Sequence, residues 1–169
     1  REQKFRLLAD SMPQFVWTAN KEGKLTYFNQ AVFDFSGYSR DEIIEKGWLS
    51  IVHDDEKEEN VRKWNNAISA EKDFIIEHRF RKKDGTYRWQ LSRAIPQRDK
   101  AGIITMWVGT STDIQDQKMF TNELEKKVAE RTKELFTKNE DLEKMNTELQ
   151  SFAYISSHDL QEPLRKIQT

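Results

Sequence analysis

The sequence predicts an α+β domain followed by one long helix, and three observations lead to this class. All five Trp lie between Trp17 and Trp107, and all six Gly lie before Thr110. From Thr110 to Glu162 the chain contains neither Gly nor Pro, the residues that most often interrupt a helix. The first part mixes helical and strand-like hydrophobic spacings. We therefore expect a compact mixed domain and then an uninterrupted helix.

Composition excludes several kinds of site and partner. The 28 basic and 29 acidic residues leave a net charge of −1, which provides no overall field for nucleic acid or an anionic membrane. The chain has no Cys, so disulfides, thiolate metal sites and cysteinyl flavin adducts are excluded together. No run approaches the roughly 18 apolar residues of a membrane span. We expect a cytoplasmic protein, or the cytoplasmic part of a membrane-anchored parent, with no metal site.

The chain starts at Arg1 without Met and stops at Thr169 within a helical pattern, so we expect a fragment of a longer protein. Helical hydrophobic spacing covers three segments: 1–10, 29–38 and 54–70. Ser39 stands three residues before Glu42, the spacing of a capping box, and predicts the start of a further short helix.

Five runs rich in aromatic and β-branched residues predict strands: 15–19, 24–28, 74–82, 86–97 and 103–114. Asp84 and Gly85 separate the third and fourth runs. An Asp-Gly pair is typical of a tight hairpin turn in which both central residues have positive φ. The last three strands are therefore expected to be antiparallel neighbours.

This order of strands and short helices resembles that of a PAS domain over about residues 5–115. Matching motifs are Met-Pro-Gln-Phe-Val-Trp at 12–17, Tyr-Phe-Asn at 27–29, Phe-Ser-Gly-Tyr at 35–38, Val-His-Asp-Asp at 52–55, Glu-His-Arg-Phe at 77–80, Lys-Asp-Gly-Thr-Tyr-Arg-Trp at 83–89 and Gly-Thr-Ser-Thr-Asp-Ile at 109–114. The family's Pro is missing after His53, and Gln115 replaces a Thr. The resemblance implies a five-stranded antiparallel sheet, with Asp113 and Ile114 as the signal-transfer junction at the end of the last strand.

PAS domains often hold a ligand between the sheet and the short helices. The candidate lining of such a pocket is apolar: Phe28, Phe33, Tyr38, Trp48, Trp64, Phe74 and Trp107. The alternative is that these aromatic residues only fill the core. Haem would need a histidine on the long domain helix, whereas His53 precedes that helix and His78 lies in a strand. A small apolar metabolite or no ligand remains, the PAS ligand is unknown, and a colourless protein is expected.

Residues 116–150 combine a charged face with an apolar face. The apolar positions start at Leu124, and the next four recur every seven residues: Val128, Leu135, Leu142 and Leu149. Met145 and Phe152 complete a heptad pattern near its end. The pattern predicts a signalling coiled coil that forms a parallel homodimer.

The middle of this heptad pattern is ambiguous. Arg131 and Lys138 occupy positions that should be apolar, and a shifted frame would place Thr132 and Asn139 there instead. Two helix packings of similar energy are therefore expected. The Ala-Glu-Arg-Thr run at 129–132 resembles the Glu-Arg-Thr feature of signalling helices that join sensors to kinase output domains. The alternative is an inert spacer.

The most distinctive stretch is Ser-Ser-His-Asp-Leu-Gln-Glu-Pro-Leu-Arg at 156–165. At about 100° per residue, His158 lies on the helix face opposite the apolar positions. A neutral imidazole is a competent nitrogen nucleophile, and Asp159 could orient the ring or take its proton. Pro163 cannot donate to the carbonyl of Asp159, so a kink or loosened turn is expected beside the histidine.

This stretch closely resembles the phosphoacceptor box of sensor histidine kinases. By that resemblance His158 accepts the γ-phosphoryl group of ATP for relay to an Asp of a response regulator, and Asp159 is its acid/base partner. Family members often carry Thr or Asn where this chain has Glu162, which puts phosphatase activity in question. ATP and Mg²⁺ would belong to a catalytic domain of the same parent, and this fragment should be inactive alone and contain no cofactor.

The predicted domains are a PAS domain over 1–115, a coiled-coil helix over 116–150, and the start of the phosphoacceptor helix over 151–169. The expected partners are a second copy of the chain, a response regulator and the missing ATP-binding domain. The alternative function is a non-enzymatic PAS scaffold that dimerises through its coiled coil. The sequence does not identify the sensed signal.

Overall fold

The computed structural model describes residues 2–167, which form two compact units that meet between Met119 and Phe120. Each predicted element is present, with bounds that shift by at most two residues. Arg1 and residues 168–169, the ends of two predicted helical segments, lie outside the described residues. The elements in chain order are α1 (Glu2–Asp10), β1 (Phe15–Asn20), β2 (Leu25–Phe28), α2 (Gln30–Ser36), α3 (Arg40–Lys46), a 3-10 turn (Trp48–Ile51), α4 (Asp54–Ala70), β3 (Phe74–Arg81), β4 (Tyr87–Arg98), β5 (Ile104–Asp113) and α5 (Gln115–Ile167).

The first unit is built on a five-stranded antiparallel sheet with the strand order β2-β1-β5-β4-β3. The first and last strands of this unit are therefore neighbours at its centre, where Trp17 is paired with Gly109. β3 pairs with β4 along its full length, and this register places His78 opposite Gln90. The predicted α+β class, with a five-stranded sheet, short helices and a long C-terminal helix, is confirmed.

One face of the sheet is buried against the helices, because alternate residues of each strand point inward. Along β3 the buried positions are Phe74, Ile76, His78 and Phe80. Trp64 of α4 packs edge-on against three rings at centroid distances of 5.1 to 5.7 Å. These rings belong to Trp17, Phe74 and Trp107.

The predicted capping box at the start of α3 is present. The Ser39 hydroxyl accepts a hydrogen bond from the Glu42 backbone N–H (3.3 Å), and the Glu42 carboxylate accepts one from the Ser39 N–H (2.7 Å). The bond from the Ser39 backbone N–H stabilises the carboxylate and lowers the pKa of Glu42. Each partner therefore satisfies a backbone donor that the first turn of a helix leaves without a carbonyl.

The expected geometry of the β3–β4 turn is wrong in one respect. Gly85 has the expected positive φ (85°), but Asp84 does not. Among residues 2–167, the one non-glycine residue with a positive φ is Glu71. The Lys82 carbonyl accepts from the Gly85 N–H (2.9 Å). The Asp84 carboxylate accepts from the N–H (2.9 Å) and hydroxyl (2.6 Å) of Thr86, which stabilises a longer turn with one left-handed residue.

Helix α5 runs for 53 residues and includes Pro163 in its last turns. The helix continues past this proline to Ile167, and the expected kink or loosened turn beside His158 stays a prediction. None of its residues is buried, and its heptad positions are exposed in the single chain. The coiled coil therefore stays a prediction. Within residues 2–167, no helix has the length and hydropathy required to cross a membrane.

We predict that Gly109→Ala destabilises the first unit. A Cβ at this position would lie 2.3 Å from the Trp17 ring, which is held by the sheet on one side and by Trp64 on the other. Overpacking of this kind costs about 1–3 kcal/mol in the free energy of unfolding, measurable by urea denaturation. Thr105→Ala, at an exposed position of the same strand, is the control and should stay within about 0.5 kcal/mol of the wild type. Equal stabilities of the two variants would contradict the prediction.

Candidate functional site

A cavity of about 40 Å³ lies between the inner face of the sheet and the helices of the first unit. Four of the seven residues predicted to line a pocket do line it: Phe28, Trp48, Trp64 and Phe74. The walls are completed by Phe15, Trp17, Leu25, Val32, Ile51, Phe80 and three polar residues, His78, Ser92 and Ser111.

The other three predicted residues lie away from this cavity. Phe33 packs edge-on against Phe28, with ring centroids 6.5 Å apart. The ammonium nitrogen of Lys46 lies over the Tyr38 ring, 4.8 Å from the ring centroid. Trp107 is fully buried behind Trp64. Aromatic content identified these residues as core candidates, but only the fold shows which of them face the cavity.

A buried chain of hydrogen bonds crosses the core, and sequence reasoning missed it. The side-chain N–H of Asn60 donates to the Glu56 backbone carbonyl (2.8 Å). The side-chain oxygen of Asn60 therefore faces the ring of His78. His78 therefore donates from Nδ1 to this oxygen (2.6 Å) and accepts at Nε2 from the Ser92 hydroxyl (2.7 Å). The alternation of inward- and outward-facing residues along β3 could have revealed this hydrogen-bond chain, because it places His78 on the inner face with Phe74, Ile76 and Phe80.

The hydrogen-bond chain continues across neighbouring strands on the inner face of the sheet. The Ser111 hydroxyl contacts that of Ser92 (2.6 Å), and the indole N–H of Trp17 donates to Ser111 (3.3 Å). Burial of His78 lowers its pKa to about 3, so the ring is neutral at cellular pH. Both nitrogens of this imidazole have hydrogen-bond partners within the core. Nearby, the side-chain amide of the buried Gln90 has no partner among residues 2–167.

The volume of the cavity limits its ligands. Pockets for drug-sized ligands measure about 300–1,000 Å³, whereas a single water needs roughly 10–15 Å³. A cavity of about 40 Å³ therefore fits a molecule of only a few heavy atoms unless the core rearranges. No group of three potential metal-ligating side chains occurs in the part of the chain that the structure describes.

The predicted junction residues Asp113 and Ile114 connect β5 to α5. The Asp113 carboxylate accepts from Arg88 Nε (2.6 Å) and from the Gln115 N–H at the start of the helix (2.9 Å). The Ile114 N–H donates to the Trp89 carbonyl (2.9 Å). Gln115, which replaces the Thr of the PAS pattern, accepts from the Trp89 N–H through its side-chain oxygen (3.0 Å). The first turn of α5 is thus bound to β4 by main-chain and side-chain contacts.

In the second unit, His158 and Asp159 are both exposed, with 59% and 71% of their side chains accessible. Nδ1 of His158 and Oδ1 of Asp159 are 3.7 Å apart, which is beyond hydrogen-bond distance but within reach of a small side-chain rotation. Leu160 and Leu164 lie on the opposite face of the helix, about 160° and 120° away at 100° per residue. The imidazole is therefore accessible to a macromolecular partner.

Comparison with known proteins assigns the first unit to a family. The family model described as PAS fold matches residues 25–111. The chain belongs to the PAS family. This PAS chain is 32% identical over 159 residues to the peroxide stress-activated histidine kinase mak1 of Schizosaccharomyces pombe, covering 89% of the chain but 10% of that protein. It is 30% identical over 92 residues to the blue-light-activated histidine kinase 1 of Erythrobacter litoralis, covering 54% of the chain and 26% of that protein.

Solved structures share the fold at lower identity. An RNA-binding light-oxygen-voltage receptor superposes with a TM-score of 0.62 and 19% identity, covering 76% of this chain and 37% of that one. A sensory box histidine kinase/response regulator from Burkholderia thailandensis gives a TM-score of 0.54 at 23% identity, covering 75% of this chain and 96% of that one. These similarities support the PAS fold alone. The chain has relatives named as histidine kinases and spans a small part of their length.

We predict that His78→Gln flattens the pH dependence of stability between pH 6.5 and 3. In this range the unfolded chain protonates His78 while the folded protein, whose His78 pKa is about 3, does not. The unfolded state therefore binds more protons, and stability falls as the pH falls, by up to about 1.4 kcal/mol per pH unit. Urea denaturation at several pH values measures this slope.

His158→Gln is the matched control, because it removes an exposed imidazole from the other unit. We expect its slope to follow the wild type. A slope for His78→Gln equal to that of the wild type would contradict a buried neutral His78.

Proposed function

We propose that this chain is the sensory and signal-transfer region of a two-component sensor histidine kinase. In this proposal His158 accepts the γ-phosphoryl group of ATP and passes it to an Asp of a response regulator. The observation that carries the proposal is an exposed His158–Asp159 pair, five residues before Pro163, on a helix that begins at the end of a PAS domain. The relatives named as histidine kinases support it.

The chemistry requires an accessible imidazole and a separate phosphoryl donor. The attacking nitrogen of His158 forms a bond to the γ-phosphorus as the bond from phosphorus to the ADP oxygen breaks, and ADP leaves. Asp159, next to Nδ1, orients the ring and takes the proton that the imidazole loses when Nε2 attacks. The separate catalytic domain of the kinase would supply ATP and Mg²⁺. Transfer to the response regulator then restores the neutral imidazole.

Dimerisation through the second unit is part of the proposal. We call the exposed apolar positions on one face of α5 the apolar stripe; they are Leu124, Val128, Leu135, Leu142, Met145, Leu149, Phe152, Leu160, Leu164 and Ile167. An isolated amphipathic helix is marginally stable in water, so a stripe of this length calls for a partner. Its heptad spacing favours a second copy of the chain in parallel.

The phosphoacceptor role predicts that labelling depends on His158. With radiolabelled ATP, the chain alone should remain unlabelled, and it should become labelled when the catalytic domain of the same parent is added. His158→Ala should abolish the label, and Asp159→Asn should reduce the rate about 100-fold or more if it acts as the acid/base group. His53→Gln, in the PAS domain, is the control and should be labelled normally. Undiminished labelling of His158→Ala would leave the non-enzymatic scaffold as the better function.

The dimer proposal predicts that charge on the apolar stripe separates the two copies. Leu142→Lys combined with Leu149→Lys should convert a dimer into a monomer by light scattering at micromolar concentration, because two pairs of buried charges would face each other. Phe136→Lys combined with Tyr154→Lys is the matched control. These side chains are at least as exposed, at 65% and 74% against 61% and 65%, but lie off the stripe. A monomeric wild type, or a monomeric control, would contradict the proposed interface.

A further inference from the structure

Two cations contact one indole ring on the first unit, at the point where α5 begins. Nζ of Lys118, in the first turn of α5, lies 4.5 Å from the ring centroid of Trp89, and the guanidinium carbon of Arg79 lies 5.3 Å from the same centroid. Trp89 is half-buried on β4, and its backbone already binds the start of α5. Cation–π contacts of this kind are attractive but individually modest.

Each cation is held by a carboxylate from a different element. Lys118 forms an ion pair with Glu77 of β3. Arg79 donates from Nε to Glu56 Oε1 (2.6 Å), and its backbone N–H donates to Glu56 Oε2 (2.7 Å). Glu56 lies in the first turn of α4 and is largely buried. The Trp89 ring is therefore connected to α4 through Arg79 and Glu56, and to α5 through Lys118.

The same part of α4 also faces the core. The carbonyl of Glu56 accepts from Asn60, whose amide oxygen binds the buried His78, and Trp64 lines the cavity one turn later. A displacement of α4 that disturbs this inner contact also displaces the carboxylate that holds Arg79. Glu56 thus connects the hydrogen-bond chain of the core to the outer face of the sheet.

We propose that Trp89 is a positioning residue that couples α4 to the first turn of α5, through Arg79 and Glu56 on one side and Lys118 on the other. Movement of α4 changes the placement of Arg79 on the ring and so changes how firmly Lys118 holds the helix. This gives the sensor function proposed above a specific route from the cavity to α5. A second contact, between Arg88 and Asp116 (3.2 Å), bypasses Trp89 and keeps α5 attached when Lys118 is released.

Hydrogen–deuterium exchange of the 169-residue chain tests this coupling without any phosphoryl transfer, so its result is independent of the proposed kinase function. Glu56→Gln removes the charge that holds Arg79 but retains an acceptor, and Lys118→Met removes the cation on α5 but retains its stem. Each single variant should increase exchange of the amides at 118–122 about two- to fivefold. The double variant should exchange no faster than Lys118→Met, because both changes break one connection.

Glu71→Gln is the matched control, since Glu71 lies at the other end of α4 and pairs with Arg98 instead. It should leave exchange at 118–122 unchanged. If Glu56→Gln also accelerates exchange in the centre of β5, that variant loosens the sheet as a whole. Arg79→Gln then takes the place of Glu56→Gln, with the same expected results. The proposal is overturned if the charge change at α4 leaves the α5 amides unaffected, or if the effects of the two single variants multiply in the double variant.

Discussion

The backbone pairing of β1 with β5 at the centre of the sheet is the constraint on which the rest of the first unit depends. It joins the first and last strands of the PAS domain, and the contact of Trp17 with the bare backbone of Gly109 requires that no side chain separate them. Because β5 is the central strand, α5 starts from the middle of the sheet, where β4 binds its first residues through Arg88 and Trp89. A change in the packing of the inner face therefore acts on a strand that leads directly into α5.

The core combines an apolar cavity with a complete hydrogen-bond chain. A buried imidazole is costly unless both nitrogens are paired, and His78 meets this requirement through Asn60 of α4 and Ser92 of β4. The hydrogen-bond chain links α4 to four strands, so it fixes the helix relative to the sheet more specifically than apolar packing alone would. A ligand that binds beside His78 would have to preserve these bonds or replace them. The side-chain amide of Gln90, which has no partner within residues 2–167, is a further buried polar group in this part of the core.

Most of the fold could be predicted because local signals agreed with one another. The range of α4 was predicted without error, since acidic residues start it and apolar residues recur at helical spacing. The cavity was predicted only in part, because composition indicates which side chains are apolar but not which strand face or register brings them together. The polar wall escaped notice for the same reason: Ser92 and Ser111 come from strands that become neighbours only in the folded sheet. The Trp89 contacts could not be predicted either, since Arg79, Trp89 and Lys118 are brought together by tertiary structure.

We propose that α5 carries the state of the PAS domain to His158 by its geometry. Within the second unit, the helix from Phe120 to His158 is roughly 60 Å long at about 1.5 Å per residue, so no small ligand bridges that distance. Signal-dependent autophosphorylation of the proposed full-length kinase, measured with insertions after Thr132, tests this proposal most directly. Seven inserted residues keep the apolar stripe in phase and should preserve regulation, whereas two residues rotate His158 by about 200° and should lock or invert the output. Regulation that is unchanged by both insertions would contradict the proposal and make α5 a simple tether.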